Sequence, residues 1–306
     1  DNLSAESDIA QIDVFVKASD IVFIHWWNHP LLMRLLFKGL PQSRVLIWSH
    51  VNGYYPPQSF FPELFEFPDI FIAASESSLN SKTVKQLPKK LTEKLRVIRS
   101  CAGIPQGAEI EHEKTGEFKI GYVGTVEDSK LHQNFLELCA KAELKEPCIV
   151  AGGPSHEELR SKAAELGLSD KFNILGPVKD PLSIYKQLHA FVYPLNPKHY
   201  GTGEQVLIEA MAFGAVPIVL ANPPEKAIVR HGKTGLVANT EKEFSEAISF
   251  LKDNPSELKK MAEAGHRFVM DECNIKISAD NFISIFDELA EYEPKARRLR
   301  IPTFDR

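Results

Sequence analysis

Cysteine is scarce in this sequence and shows no paired spacing. The four cysteines, Cys101, Cys139, Cys148 and Cys273, are scattered over 306 residues. This scatter suits neither a disulfide framework nor a cysteine-ligated zinc site. We therefore expect reduced interior thiols in a cytoplasmic protein.

Long apolar runs and an excess of one charge are missing as well. No apolar stretch reaches the roughly 18 residues that a membrane-spanning helix needs, and no signal-peptide pattern opens the sequence. The 36 basic and 41 acidic residues give a net charge of −5. This balance provides no electrostatic footprint for nucleic acid, so we expect no nucleic-acid partner.

Two catalytic signatures are also absent. No G-x-G-x-x-G fingerprint follows an early apolar run, which argues against a dinucleotide-dependent oxidoreductase. No Asp-x-Asp carboxylate pair stands at the end of a predicted strand. We therefore predict neither a metal ion nor another cofactor.

What remains is the composition of an ordinary globular protein, with 43% hydrophobic and 25% charged residues. The length suits two domains of about 150 residues each. Apolar strands alternate with helices, which indicates an α/β fold with two doubly wound parallel sheets. We predict a first domain over 1–113, a second over 114–291 and a C-terminal tail over 292–306, with a polar linker at 107–117.

The predicted elements place ligand sites at the carboxyl ends of the strands, as is usual for parallel sheets. The predicted strands are 20–25, 44–50, 69–74 and 95–98 in the first domain, and 118–123, 148–151, 172–175, 191–193, 216–220 and 236–237 in the second. The predicted helices are 5–18, 30–37, 157–166, 181–188, 242–251 and 277–291, with another passing through Phe135 and Leu138.

The most informative stretch, 199–214, lies between two of these strands. Its glycine-rich turn leads into an apolar helix. Thr202 can cap this helix with Gln205 as the capping-box partner, and Gly214 can end it. The free amides and the positive dipole end at 203–206 then predict an anion site suited to phosphate.

Glu209 lies among the apolar residues of the same helix, so we expect it to be buried. A buried carboxylate needs hydrogen-bond donors. The ribose hydroxyls of a nucleotide whose phosphates bind at the helix start would supply them, whereas the alternative is a structural carboxylate that holds a neighbouring loop. The stretch thus predicts a nucleoside diphosphate site.

Three segments give the chain its resemblance to a known family. They are the EAMAFG run from Glu209 to Gly214 with Val216-Pro217 after it, the HGKTGLV run from His231 to Val237, and GYVG from Gly121 to Gly124 followed by Lys130. Together they resemble the retaining glycosyltransferases of family 4, the group 1 glycosyltransferases, strongly over 118–291 and more weakly over 20–105.

The resemblance implies the GT-B fold, in which two Rossmann-like domains face a cleft. The family usually starts with an earlier strand and a glycine-rich loop, so the N-terminal domain here is expected to be shortened or truncated. The resemblance also makes Glu209 the ribose ligand and Lys130 a diphosphate ligand. An exposed lysine at a helix start is the alternative for Lys130.

The chain departs from the family at two motif positions. The sugar-contacting glutamate of the family, eight residues before Glu209, has its place at Gly201, and the phosphate-binding arginine has its place at Thr125. We therefore assign the sugar contact to Glu204 and part of the phosphate neutralisation to Lys198 or His199. Glu204 has an alternative role as a favourable charge in the first helical turn.

Two further positions follow from the family. Val178 follows a strand where the family reads the nucleobase through backbone groups, and His50 ends a strand where the family often has a histidine near the donor sugar. The candidates for catalysis are Glu204 and His50, with no metal ligand. The candidates for donor binding are Gly124, Thr125, Lys130, Val178, His199, Tyr200, Gly201, Thr202, Gly203, Gln205, Val206 and Glu209.

The predicted function is the transfer of a sugar from a nucleoside diphosphate sugar, UDP or GDP, to an acceptor hydroxyl, with retention of configuration and without a metal. A weakly active or inactive sugar-nucleotide-binding protein and a sugar-nucleotide epimerase of the same fold stay open as alternatives. The acceptor would be a saccharide, a glycolipid or a small molecule. Basic residues at 82–96 and 295–300 are solvated faces or contacts to anionic lipid at the inner face of a membrane.

Overall fold

The computed structural model describes residues 9–101, 114–202 and 204–301. The chain forms two compact units. The first unit contains Asp1–Arg99, Tyr200–Gly203 and Ser278–Arg306, and the second contains Ser100–His199 and Glu204–Ile277. The start of the predicted first helix, most of the predicted linker and the candidate Gly203 lie outside the described residues.

The first unit is built on a parallel sheet of four strands in the order β1-β2-β3-β4, and a fifth strand, β11, pairs antiparallel with β2. The strands are β1 (Ile21–Trp26), β2 (Leu40–Ser49), β3 (Ile70–Ala73), β4 (Leu95–Val97) and β11 (Lys295–Arg297). The helices are α1 (Ile9–Lys17), α2 (Pro30–Lys38), α3 (Pro62–Glu66), α4 (Lys82–Lys85), α5 (Lys89–Thr92) and α13 (Ile275–Ala290).

This sheet is buried on both faces, as its continuous apolar strands predict. Val45 of β2 shares a buried cluster with Leu36 of α2. Leu46, which points to the opposite face, shares another with Ile285 and Leu289 of α13. Because α13 supplies this second layer, residues from Ser278 onward belong to the first unit and not, as the sequence predicted, to the second domain.

The C-terminal tail is also part of the first unit. The guanidinium of Arg297 in β11 donates to Asp69 at 2.9 Å and to the carbonyls of Phe67 and Ser43. Its side chain is 9% exposed, and that of Asp69 is 5% exposed. The prediction of a solvated or lipid-contacting face is wrong for Arg297, because its side chain neutralises a buried carboxylate.

The second unit contains a parallel sheet of six strands in the order β10-β9-β8-β5-β6-β7. Its strands are β5 (Ile120–Val123), β6 (Cys148–Ala151), β7 (Phe172–Gly176), β8 (Ala190–Tyr193), β9 (Val216–Leu220) and β10 (Leu236–Ala238). Read from β7, this is the doubly wound 3-2-1-4-5-6 order, in which ligands bind where the order reverses, here between β5 and β8.

Helices cover both faces of this second sheet. They are α6 (Phe135–Ala140), α7 (His156–Glu165), α8 (Leu182–Tyr185), α9 (Gln205–Ala212), α10 (Pro223–Ile228), α11 (Glu241–Asp253) and α12 (Pro255–Glu272). The sequence reading missed α12, which packs on α9 through Gly265 beside Met211. Across the described residues, no helix combines the length and the apolar character needed to cross a membrane.

Candidate functional site

The carboxyl ends of β5 and β8 carry most of the predicted donor residues. The loop after β5 contains Lys130, and the loop after β8 leads to His199. Asn196 ties the two loops together, because its backbone N–H donates to the carbonyl of Lys130 at 2.8 Å and its side chain donates to the carbonyl of Asp128 at 3.0 Å. The fold therefore fixes Lys130 beside the segment that precedes α9, at the reversal point of the sheet.

Gly124 and Thr125 follow β5 directly, as predicted. The carbonyl oxygen of Gly124 would lie only 1.7 Å from a Cβ atom on Gly152, which has φ +142°. Only glycine at 152 therefore lets the β5 and β6 loops pass this closely. The carbonyl of Thr125 accepts a hydrogen bond of 2.6 Å from the hydroxyl of Tyr122.

The start of α9 differs from the sequence prediction. Glu204 is its N-cap residue, with φ 28° and ψ 62°, and makes no side-chain cap. The prediction that Thr202 caps the helix with Gln205 is wrong, because the left-handed backbone at Glu204 makes Gln205 the first helical residue. The predicted end is confirmed: Gly214 has φ 73°, and Ala215 N–H donates to the carbonyl of Ala210.

Tyr200, Gly201 and Thr202 belong to the first unit, whereas His199 and the residues of α9 belong to the second. Asn52 donates from its backbone N–H to the carbonyl of Tyr200 at 2.9 Å and from its side chain to that of Gly201 at 3.0 Å. The Thr202 hydroxyl lies 3.3 Å from that of Ser78. These three residues and α9 therefore belong to different units.

Glu204 holds a buried carboxylate beside Lys130. Its Oε2 atom lies 3.1 Å from the Lys130 ammonium and accepts a 2.5 Å hydrogen bond from the hydroxyl of Tyr193, and the side chain is only 1% exposed. Burial acts to raise the pKa of Glu204, but the charges of Lys130 and His199 outweigh it and the pKa lies below its ordinary value. Glu204 is therefore ionised.

A second buried carboxylate, Glu225 of α10, was not recognised from the sequence. Its Oε1 lies 3.1 Å from Nε2 of His199, and the Nδ1 atom of His199 lies 3.9 Å from Glu204. Burial acts to lower the pKa of His199, but Glu225 and Glu204 raise it above its ordinary value. Burial, with the nearby charge of Glu204, raises the pKa of Glu225. The available signal was an acidic residue in a helical first turn directly after a buried strand.

Among the described residues, His199, Glu204 and Glu225 also form the one group whose donor atoms, all within 4.8 Å of one another, could hold a metal ion. The Lys130 ammonium already pairs with Glu204 of this group at 3.1 Å. We therefore interpret the cluster as a network of ion pairs, and His199 as a partner of carboxylates where a phosphate contact was predicted.

Glu209 of α9 is half-buried, in contrast to the predicted full burial. It accepts hydrogen bonds from the Tyr185 hydroxyl at 3.1 Å and from the Gln205 side chain at 2.8 Å. Burial and the charge of Glu209 raise the pKa of Tyr185, so this hydroxyl stays protonated as a donor. Val206 is half-buried on the same helix, and Val178 is half-buried just after β7.

His50 follows β2 at the carboxyl edge of the first sheet, as predicted. Its Nε2 lies 2.8 Å from Nδ1 of His25, and its ring stacks on Trp27 at 5.5 Å between centroids. Burial, followed by the charge of His25, lowers the pKa of His50 to about 4. The imidazole is therefore neutral at physiological pH.

Two parallel-sheet Rossmann-like units are the architecture of GT-B glycosyltransferases, and solved structures of such enzymes share this fold. HepE from Anabaena, in complex with UDP and glucose, is 14% identical, and the match covers 92% of this chain and 81% of that one with a TM-score of 0.73. Sucrose-phosphate synthase from Thermosynechococcus elongatus is 17% identical, with 94% and 80% covered and a TM-score of 0.68.

The sequence family follows from a match over more than half of the chain. Residues 106–268 match the family described as glycosyl transferases group 1, and the chain belongs to this family. A GDP-Man:Man(3)GlcNAc(2)-PP-Dol alpha-1,2-mannosyltransferase from Dictyostelium discoideum is 30% identical over 95 residues. That alignment covers 30% of this chain and 18% of the mannosyltransferase.

Proposed function

We propose that this protein transfers a hexosyl group from a nucleoside diphosphate sugar, with UDP or GDP as the nucleotide, to an acceptor hydroxyl, with retention of configuration and without a metal ion. One observation carries the proposal: the Lys130 ammonium is fixed at the reversal point of the second sheet, beside the residue that caps α9. A lysine and the N-terminus of an eight-residue helix together suit a diphosphate. The UDP and glucose in HepE and the GDP-mannose of the Dictyostelium relative support a nucleotide sugar as donor.

Lys130 and the amides at the start of α9 would stabilise the negative charge that develops on the departing diphosphate. A metal ion commonly has this task in other transferases. Glu204 would act through Lys130, because a carboxylate that is 1% exposed and already paired suits the positioning of the ammonium better than direct contact with a sugar. A departing phosphate oxygen would take the proton of the acceptor, so the reaction needs no dedicated base.

The remaining donor contacts follow from α9 and β7. Glu209, oriented by Tyr185 and Gln205, would bind the ribose hydroxyls. Backbone groups near Val178 would read the nucleobase. His50 stays a candidate for contact with a sugar, and its lowered pKa makes it a neutral hydrogen-bond partner.

The acceptor side of the proposal is broader: a saccharide, a glycolipid or a small molecule. We propose a cytoplasmic protein, with exposed lysines such as Lys89 as candidates for contact with anionic lipid. Gly201 and Thr125 at family motif positions favour a second candidate, a protein that binds sugar nucleotides without turnover.

Product analysis with matched nucleotides tests the proposal. The protein is incubated with UDP- and GDP-hexoses, with and without saccharide acceptors and with EDTA present. We expect acceptor-dependent release of UDP or GDP and, by proton NMR, a product with the anomeric configuration of the donor. Binding of nucleotide without release would support the second candidate, and conversion of donor without acceptor would support an epimerase.

A further inference from the structure

The proposed function uses Lys130 and Glu204 but leaves two buried groups of the same network without a role. Glu225 has an exposed fraction of 0%, and its carboxylate lies 3.1 Å from the ring of His199. Its nearest charged group is the imidazole of His199, which is itself 1% exposed. Burying a carboxylate is costly unless it is paired, so the charge of Glu225 depends on the imidazole beside it.

The charged groups of the network form two opposed pairs. Glu225 faces His199 from α10, Glu204 faces it from the N-cap of α9, and Lys130 approaches from the loop after β5. Tyr193 of β8 donates to Glu204, and the ring of Tyr122 in β5 stacks on that of Tyr193. Burial and the charge of Glu204 raise the pKa of Tyr193, so its hydroxyl is neutral, and the charged groups of the network among the described residues are His199, Glu204, Glu225 and Lys130.

The charge of these four groups depends on one proton. With His199 as imidazolium, the cations His199 and Lys130 balance the two carboxylates. Without that proton the buried network carries one excess negative charge, in surroundings where charges are poorly screened. Such a charge directly behind Lys130 opposes the binding of a diphosphate.

We propose that Glu225 and His199 are positioning residues of the donor site, which hold one proton beside Glu204 so that Lys130 keeps its attraction for the diphosphate. This inference rests on the proposed function. The pair Glu225 and His199 titrates as a unit. The buried carboxylate keeps the proton on this unit at physiological pH, and its loss at higher pH weakens nucleotide binding.

Nucleotide affinity as a function of pH tests the inference. Calorimetry with UDP and GDP from pH 6 to 9 should show a constant dissociation constant below the apparent pKa of the pair. Above it the dissociation constant should rise by at most about tenfold per pH unit, because one proton is linked to binding. His231→Gln and Glu246→Gln serve as matched controls on exposed positions of the same unit and should keep the parent profile.

Charge-balanced variants separate positioning from a merely structural role. His199→Gln fixes the excess negative charge and should weaken binding about tenfold at every pH, without the pH dependence. Glu225→Gln removes one negative charge, so its affinity should stay high at pH 9. The double variant restores the balance and should regain the affinity that His199→Gln loses, which a purely structural role does not predict. Unfolding curves for each variant verify that the fold is kept.

NMR of the histidine ring nitrogens measures the protonation state of His199 directly. In protein labelled at histidine nitrogen, the signal lost in His199→Gln is assigned to His199, and we expect it to be protonated at pH 7 and to titrate at lower pH in Glu225→Gln. A neutral His199 at pH 7, a parent affinity that does not change with pH, or a double variant as weak as His199→Gln overturns the inference. If the parent protein binds neither UDP nor GDP, the proposed function is wrong. A His199 that is nevertheless protonated at pH 7 would then show that the charge network exists but serves another ligand.

Discussion

The ammonium of Lys130 lies 3.1 Å from the buried carboxylate of Glu204. Each group needs the other, since an unpaired charge at either position would be poorly solvated. The lysine therefore reaches the start of α9 already oriented, which reduces the cost of ordering it when an anion binds.

Lys130→Ala should lower both nucleotide affinity and stability. Loss of the ammonium leaves the buried carboxylate of Glu204 with only His199, 3.9 Å away, as a cationic partner, which should cost about 3 kcal/mol of unfolding free energy. Denaturant unfolding and UDP or GDP calorimetry measure the two effects. Lys242→Ala, on the exposed face of α11, is the matched control and should change neither. An unchanged affinity in Lys130→Ala would place the diphosphate elsewhere.

Glu209→Ala should weaken nucleotide binding while the fold remains stable. Glu209 is half-buried, and the exposed Gln205 can bond to water instead, so the loss of stability should be limited to the hydrogen bond with the buried Tyr185, about 1–3 kcal/mol. We expect a loss of about tenfold or more in affinity, the value of a hydrogen bond to a charged group. Calorimetry compares it with Glu263→Ala on α12. Equal affinities for these two variants would remove the ribose role.

Arg297→Met should destabilise the first unit by about 3–5 kcal/mol, because Asp69 would keep a buried charge without its partner. The double variant with Asp69→Asn should recover part of this loss, since the orphaned charge is then removed. Lys295→Met in the same strand is the comparison: its ammonium lies 3.9 Å from the other oxygen of Asp69, but that side chain is 65% exposed, so its loss should cost much less. A loss no larger than that of Lys295→Met would show that Arg297 is dispensable.

Gly152→Ala should be far more damaging than Gly167→Ala. Both glycines have positive φ, but a Cβ atom at 152 would lie 1.7 Å from the Gly124 carbonyl, whereas one at 167 meets nothing within 4 Å. We expect about 1 kcal/mol for Gly167→Ala from backbone strain alone and more than about 3 kcal/mol for Gly152→Ala. Thermal unfolding of the two variants measures the difference, and similar melting temperatures would contradict the close approach.

His50 should lower stability in acid. Its pKa is about 4 in the folded protein, below the ordinary value of 6.5, so the unfolded chain binds the proton more readily. The contribution of His50 is therefore complete above pH 6.5 and declines as the pH falls toward 4. His50→Phe should lose less stability than the parent over this interval, as measured by urea unfolding at each pH. Parallel curves would contradict the lowered pKa.

Local patterns predicted most of the architecture. The strands Cys148–Ala151 and Val216–Leu220 lie where their apolar runs indicated, and the doubly wound class follows from the alternation of strands and helices. The missed helix Pro255–Glu272 has its buried residues at helical spacing, so its signal was present in the sequence. The assignment of α13 to the first unit has no local signal, because it depends on which sheet its apolar face covers.

The contacts within the candidate site were harder to predict from the sequence, because they too depend on tertiary packing. Family motifs pointed to Lys130 and Glu209, whereas Glu204 was chosen because the motif position at 201 holds glycine, and the donor-binding roles of all three stay predictions. Glu225 and His199 are 26 residues apart in the sequence, and they come together through a contact between α10 and the loop after β8. The hydrophobic periodicity of the sequence does not predict such a tertiary contact. The sequence also did not predict the left-handed backbone at Glu204, because a glutamate rarely adopts it. This conformation is the reason that Thr202 does not cap the helix.

The antiparallel pairing of β11 with β2 has a practical consequence for anyone shortening this chain. A truncation placed after α13 would look harmless from the sequence, since only a short basic stretch follows. It would nevertheless strip the edge of β2 at Leu40 and Ser43 and take away the cation that Asp69 requires. Expression designs should therefore keep Lys295–Arg297 and attach any fusion partner beyond them.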